Sequence, residues 1–289
     1  MNNKMIVDER QRDIGRFMVG RLLPFRKKRA VGPFVFIDHM GPVELKDNKF
    51  LDVDQHPHTG LCTLTYLYEG EIEHRDSTGA VEVVKAGDAG FMSSGKGVTH
   101  TERTPKDRRS LKSQIMHGYQ IWVGLPKDKE EMEPRFDYYP KESLPSWEED
   151  GIEYRLVAGE GFGRKSPLMG YSPMFMVDLK VNKDSELNLR EHLKGEIAFV
   201  IVKGSMEDNG EIVSAGQMMI SKSHDACKLK VSAGTSLLLF GGEPFPEERF
   251  LLWNFASSSK ERLQQAKEEW IAKMFPKVPG DETYIPIPV

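Results

Sequence analysis

Apolar and polar positions alternate in short runs along most of this 289-residue chain. Leu61 to Leu67 is dense in β-branched and aromatic residues and ends at Glu69-Gly70. Val81 to Val84 is a short run closed by Ala86-Gly87-Asp88, and Ile121-Trp122-Val123 stops at Gly124 and Pro126. Short strands with frequent turn residues predict an all-β sandwich or barrel. A helical stripe comes only late. Ser257 to Ser259 offer N-caps, and Leu263, Ala266, Trp270, Ile271 and Met274 predict an amphipathic helix over residues 260–274, stopped by Pro276.

The strand pattern repeats. His58 to Glu73 and His192 to Glu207 align without a gap. TLTYLYEG at Thr63–Gly70 lies against IAFVIVKG at Ile197–Gly204, and the aligned segments end on Glu73 and Glu207. The polar, proline-bearing stretch from Pro126 to Gly151 reads as a connection between the two copies. The expectation is an N-terminal barrel over residues 1–135 and a C-terminal one, with the terminal helix, over residues 136–289.

Chemistry concentrates in the first copy. In a strand, residues i and i+2 share a face. His56-Pro57-His58 therefore aims two imidazoles one way, and His100-Thr101-Glu102 does the same for an imidazole and a carboxylate. Pro57 suits a strand position where no ladder hydrogen bond is needed. Two ligands from each of two neighbouring strands would hold one divalent ion at ~2.0–2.2 Å. Fe(II), Mn, Ni, Cu and Zn all suit this donor set, and four protein ligands on a six-coordinate ion leave two positions for other molecules. Gly95-Lys96-Gly97 reads as a tight turn into the second motif; no helix follows that would make it a phosphate loop. In the second copy Arg190 falls opposite His56, and Leu229 and Val231 fall opposite His100 and Glu102, so the repeat keeps the barrel and lacks the ligands.

Composition narrows the setting. A net charge of −4 gives no general attraction to nucleic acid or anionic membrane, and the basic runs Arg26–Arg29 and Lys106–Arg109 read as solvated turns. Two distant cysteines, Cys62 and Cys227, argue against a disulfide framework and for a reducing cytoplasm. The N-terminus lacks the apolar region of a signal peptide, and no stretch approaches the roughly 18 apolar residues of a membrane span. His39 is expected to be a structural hydrogen bonder, His74 an exposed residue, and His117 and His192 ordinary core or surface histidines. Trp122, Trp253 and Trp270 are expected in the core, and Cys227 on a strand of the second barrel.

At these motifs the chain resembles the pirin family, bicupin proteins of the cupin superfamily. The resemblance rests on Gly32–Pro42 (GPFVFIDHMGP), on His56–Gly60 through Glu69-Gly70, on Met92–Gly97 followed by Thr99–Glu102, and on Gly241–Pro244 with the terminal helix. It implies two tandem jelly-roll barrels. It also implies one iron held in the first by His56, His58, His100 and Glu102, with none in the second. Some pirins open the flavonol quercetin with O₂; others are redox-sensitive regulators of transcription factors or metabolic enzymes. A dioxygenase acting on a flavonol-like aromatic substrate is thus one expectation, with Glu102 able to act as base by loosening from the ion. A regulatory metal protein with a protein partner is the other, and a monomer is expected in either case. The family often has Phe-Glu where this chain has Leu61-Cys62. By strand parity with His56 and His58, Cys62 would face the pocket, either as a small buried hydrophobe or as a redox-sensitive thiol.

Overall fold

The computed structural model describes residues 4–14, 17–46, 49–189, 192–222 and 229–288. The alternating segments form strands β1 (Phe34–Lys46), β2 (Asp52–His58), β3 (Leu61–Glu69), β4 (Glu71–Asp76), β5 (Val81–Lys85), β6 (Ala89–Ser93), β7 (Val98–Arg103), β8 (Ser113–Gly124) and β9 (Arg135–Tyr139). They build two sheets. One runs β9–β6–β3–β8–β1 and continues through Met18–Leu23 and Arg10–Asp13; the other runs β2–β7–β4–β5. Leu45, Leu51, Leu67, Ile72 and Met116 form one apolar cluster of this barrel. The chain carries a second barrel of the same class. Its larger sheet runs from Met5–Asp8 through Gln217–Lys222, Glu196–Lys203, Ser236–Gly242, Met174–Val181 and Ile152–Gly161 to Ser146–Glu149. The expected pair of β-barrels with a short terminal helix is the observed architecture.

The termini are exchanged. One compact unit comprises residues 1–10, 21–36 and 141–245; the other comprises residues 11–20, 37–140 and 246–289. The helix placed by sequence with the C-terminal barrel thus belongs to the unit that carries the histidine motifs. Met5–Asp8 is an edge strand of the C-terminal barrel, paired to Gln217–Ile220. The connection expected over residues 126–151 holds the change of unit, between Pro140 and Lys141, but much of it is strand. β9 pairs with β6, and Ser146–Glu149 pairs with Ile152–Arg155, so much of the stretch spends its backbone groups in sheets.

The helix α1 (Lys260–Ile271) is shorter than its sequence stripe. Ser259 caps it by accepting from the Arg262 N–H at 3.2 Å. At its end Lys273 turns left-handed at φ 57°, and its N–H donates to the Trp270 carbonyl at 3.0 Å. Leu263, Ala266 and Trp270 are buried, but Ile271, one residue round from Trp270, and Met274, past the helix end, stand 58% and 71% exposed. Phe255, Trp270 and Phe275 complete a small core of their own. No helix among the described residues is long and apolar enough to cross a membrane.

A buried charge network ties this C-terminal segment down. The Glu130 carboxylate accepts from Ser257 Oγ at 2.7 Å and from the Ser258 N–H at 2.8 Å, and pairs with Arg249 Nε at 3.2 Å. Their side chains are 7% and 3% exposed; without Glu130, Arg249 keeps Glu247 at 2.9 Å, but the Ser257 and Ser258 donors lose their acceptor. Glu130→Ala should destabilise the protein by about 1–3 kcal/mol, read by denaturant unfolding.

Candidate metal centre

β2 and β7 are hydrogen-bonded neighbours, antiparallel, with His56 opposite His100 and His58 opposite Val98. β2 is the edge of its sheet, which is why Pro57 is accommodated there. Gly60 makes the turn out of β2 at φ 68°; a Cβ at that position would lie 1.9 Å from the Ala256 carbonyl oxygen, so only glycine fits.

The register brings three imidazoles together. His56 and His100 have ring centroids 4.3 Å apart, and His58 lies 5.0 Å from His100. Donor atoms of His56, His58 and His100 fall within 4.8 Å of one another, and all three residues are buried. His56 Nδ1 lies 2.8 Å from the Asp54 carbonyl oxygen, and His58 Nδ1 lies 3.1 Å from that of Asn254. A carbonyl only accepts, so each Nδ1 carries the proton and each Nε2 keeps its lone pair. His100 Nε2 is fully buried without a hydrogen-bond partner. Three neutral imidazole nitrogens, one of them orphaned, form a donor set that fits a divalent first-row ion.

Glu102 is not in that group. Between the His56–His100 and Val53–Glu102 pairs β2 carries one extra residue, while β7 pairs regularly with β4, so Glu102 keeps its strand parity with His100 but falls opposite Val53. Its carboxylate instead lies 3.4 Å from Thr65 Oγ1, which also stands 2.8 Å from Gln120 Oε1.

Thr65 marks the inward face of β3. Thr63 and Trp122 lie opposite each other on β3 and β8, and Trp122 sets its edge against His58 at 5.1 Å. Cys62 therefore points away from the site, with its Sγ 3.6 Å from Ser93 Oγ. The expectation that it lines the pocket is corrected: the turn at Thr59-Gly60 resets parity, because β2 and β3 belong to different sheets. Burial pushes the Cys62 thiol up to about 12, which makes it inert.

The residue missed by sequence is His74. It is 4% exposed rather than a surface residue, and its Nδ1 lies 3.4 Å from His100 Nδ1. His74 and Asp76 form an i, i+2 pair on β4, and the parity used for the other motifs would have found it. Trp122 is buried in the core as expected, and it also lies against His58. His39 and His117 meet at 3.1 Å between their Nε2 atoms, with Tyr119 stacked on His39, in keeping with the structural role expected of His39. In the second barrel Leu229 and Val231 are core residues, 0% and 2% exposed. Arg190 and Cys227 lie outside the described residues.

The pirin family matches residues 16–123, and the pirin C-terminal cupin domain matches residues 176–276. This chain belongs to the pirin family. A pirin-like protein of Caulobacter vibrioides is 41% identical over 98% of this chain and 99% of its own length. The crystal structure of a quercetin 2,3-dioxygenase from Acinetobacter baumannii matches with a TM-score of 0.91 and 32% identity, covering 99% of this chain and 95% of that one. The structure of an Escherichia coli pirin in complex with nickel(II) shares the fold, with a TM-score of 0.64 at 20% identity over 83% of this chain and 99% of that one.

In this pirin the site is electrostatically tense. Burial drives the His56 imidazole down to about 4. Burial, then repulsion from the neighbouring imidazoles, holds His58 and His100 well below the usual range. Burial lifts Glu102 to about 7 against the lowering hydrogen bond from Thr65. Neutral imidazoles are the form that binds a metal. His58→Ala should strip the protein of its metal, measured by elemental analysis; full occupancy in that variant would refute the centre.

The Glu102 shift also has a sign. Below about pH 4 the carboxyl is protonated in both folded and unfolded chains. As pH rises the unfolded carboxyl ionises first, so the metal-free fold loses stability up to about pH 7, by on the order of 3 kcal/mol. Metal-free Glu102→Gln should therefore be more stable than metal-free wild type at pH 8. The gap should close as pH falls through 7 towards about 4, followed by chemical denaturation.

Proposed function

We propose that this protein is an iron-dependent dioxygenase of the quercetin 2,3-dioxygenase type, acting on flavonol-like substrates with O₂. One observation carries the reading: three buried imidazoles have donor atoms within 4.8 Å of one another, with Glu102 two residues from His100 on the same strand. The matching Acinetobacter baumannii quercetin 2,3-dioxygenase supports the reaction class. The nickel(II) complex of the Escherichia coli pirin supports a divalent ion in this fold.

His56, His58, His100 and Glu102 would hold the ion. When bound, Fe(II) supplies Lewis acidity toward a flavonol hydroxyl and redox chemistry toward O₂. The chain's own residues do the rest. Carbonyl oxygens of Asp54 and Asn254 keep His56 and His58 in the binding tautomer. Trp122, held against His58, gives a planar apolar wall suited to an aromatic substrate. Glu102 would take the substrate hydroxyl proton by loosening from the ion, within reach of the Thr65 hydroxyl at 3.4 Å. The redox-regulator alternative drew on Cys62, and that thiol is shut away from the centre.

The test uses protein loaded anaerobically with Fe(II), then exposed to quercetin and O₂. Flavonol absorbance should fall with matching O₂ uptake and release of carbon monoxide, and Glu102→Gln should lower kcat by roughly 10²–10⁴-fold. Fully loaded protein that consumes no O₂ would sink the proposal.

A further inference from the structure

His100 differs from the other two imidazoles in what holds it. His56 and His58 lean on backbone carbonyls, which no substitution removes. His100 leans on a side chain. β7 pairs with β4 on the side opposite β2, which sets His100 against Asp76 and Glu102 against His74. His74 Nδ1 lies 3.4 Å from His100 Nδ1, and His74 Nε2 lies 3.0 Å from Asp76 Oδ2. The other Asp76 oxygen accepts from the Thr78 N–H at 2.8 Å, from Thr78 Oγ1 at 2.6 Å and from the Ala80 N–H at 3.3 Å. Phe136 stacks on the His74 ring at 4.0 Å with planes 15° apart. The aspartate and the histidine ring are thus both fixed.

The proton positions follow from which groups can only accept. Asp76 is an acceptor, so His74 Nε2 carries a hydrogen. With its hydrogen on Nε2, His74 turns its Nδ1 lone pair to His100, and His100 Nδ1 is the donor. That leaves the His100 lone pair on Nε2, the buried nitrogen with no protein partner. The opposite arrangement would put an N–H on that nitrogen with nothing to accept it, a buried unsatisfied donor.

We infer that Asp76 and His74 form a buried relay that locks His100 in its metal-binding tautomer and orientation, so that His74 is a positioning residue of the centre. The inference rests on the metal-centre reading above. A carboxylate at the far end of such a relay raises the basicity of the ligating nitrogen as well as aiming it.

The experiment titrates metal-free wild type, His74→Phe and Asp76→Asn with Co(II) against a competing chelator. It also records proton NMR spectra of the Co(II) forms, and the melting temperature of each metal-free protein. Phenylalanine keeps the ring on Phe136 and removes the hydrogen bonds. Wild type should bind one Co(II) and show three exchangeable, paramagnetically shifted ring N–H signals, from His56, His58 and His100. His74→Phe should weaken binding by roughly 10–100-fold. One of the three signals should vanish or exchange quickly, which a loss of packing alone would not do. Asp76→Asn should shift affinity the same way by less, and it carries the test should His74→Phe not fold. Unchanged affinity with three slow signals in a folded variant overturns the relay and leaves the centre standing. A wild type that takes up no Co(II) overturns both.

Discussion

The pairing of β2 with β7 is the constraint on which the centre depends. It sets His56 opposite His100, and a slip of one residue would turn every imidazole on one strand to the other face. The register is held from outside as well. Gln55 Nε2 donates to the carbonyls of Asp281 and Thr283 at 2.9 Å each, and the Val278 N–H donates to Gln55 Oε1 at 2.8 Å. The C-terminal segment therefore covers the edge strand that Pro57 leaves without a donor. It also reaches the ligands, since Asn254 supplies the carbonyl that fixes the His58 tautomer. A barrel strand and a distant tail are both needed to aim one nitrogen.

The same strand parity explains what could be read from sequence and what could not. His56, His58 and His100 were legible because i and i+2 share a face wherever a strand is regular. Glu102 keeps that parity on β7, but an extra residue in β2 sets it opposite Val53, and such an irregularity leaves no composition signal in Asp52–His58. Cys62 was misread because parity was carried through Gly60 from one sheet into another. His74 was overlooked although His74-Arg75-Asp76 repeats the spacing of the recognised motifs; proximity to a turn made it look exposed. The exchange of termini had no local signature at all. Which sheet edge a terminal strand joins is decided by tertiary pairing, and Met5–Asp8 would read the same on either barrel. The terminal helix was visible in its apolar stripe, but its end was set by backbone geometry at Lys273 rather than by the stripe.

The two barrels show what the site costs. In the second, Leu229 and Val231 pack into an apolar core with Leu237 and Leu239. In the first, buried positions are given to His56, His58, His74, Asp76, His100 and Glu102. Polar groups in such places destabilise unless they are paired, and the first barrel pairs nearly all of them with carbonyls, hydroxyls or each other. A fold that is stable with leucine and valine inside has no structural need for imidazoles. Their presence is the mark of a function that stability alone would not select.

What remains unpaired is informative in the same way. His100 Nε2 has no partner, and Glu102 is lifted toward neutrality by burial. These are two faults of opposite kind: a lone pair with nothing to bind, and an acid that resists ionising. A single dication held as proposed would answer both, by accepting the lone pair and by stabilising the carboxylate. Because such an ion would bind the folded chain and not the unfolded one, ion and fold should be thermodynamically linked, with stability rising as the logarithm of free metal over its Kd. The tension at Glu102 and the order imposed on His100 by His74 and Asp76 are then two parts of one arrangement, in which the protein is organised around a charge it does not itself supply.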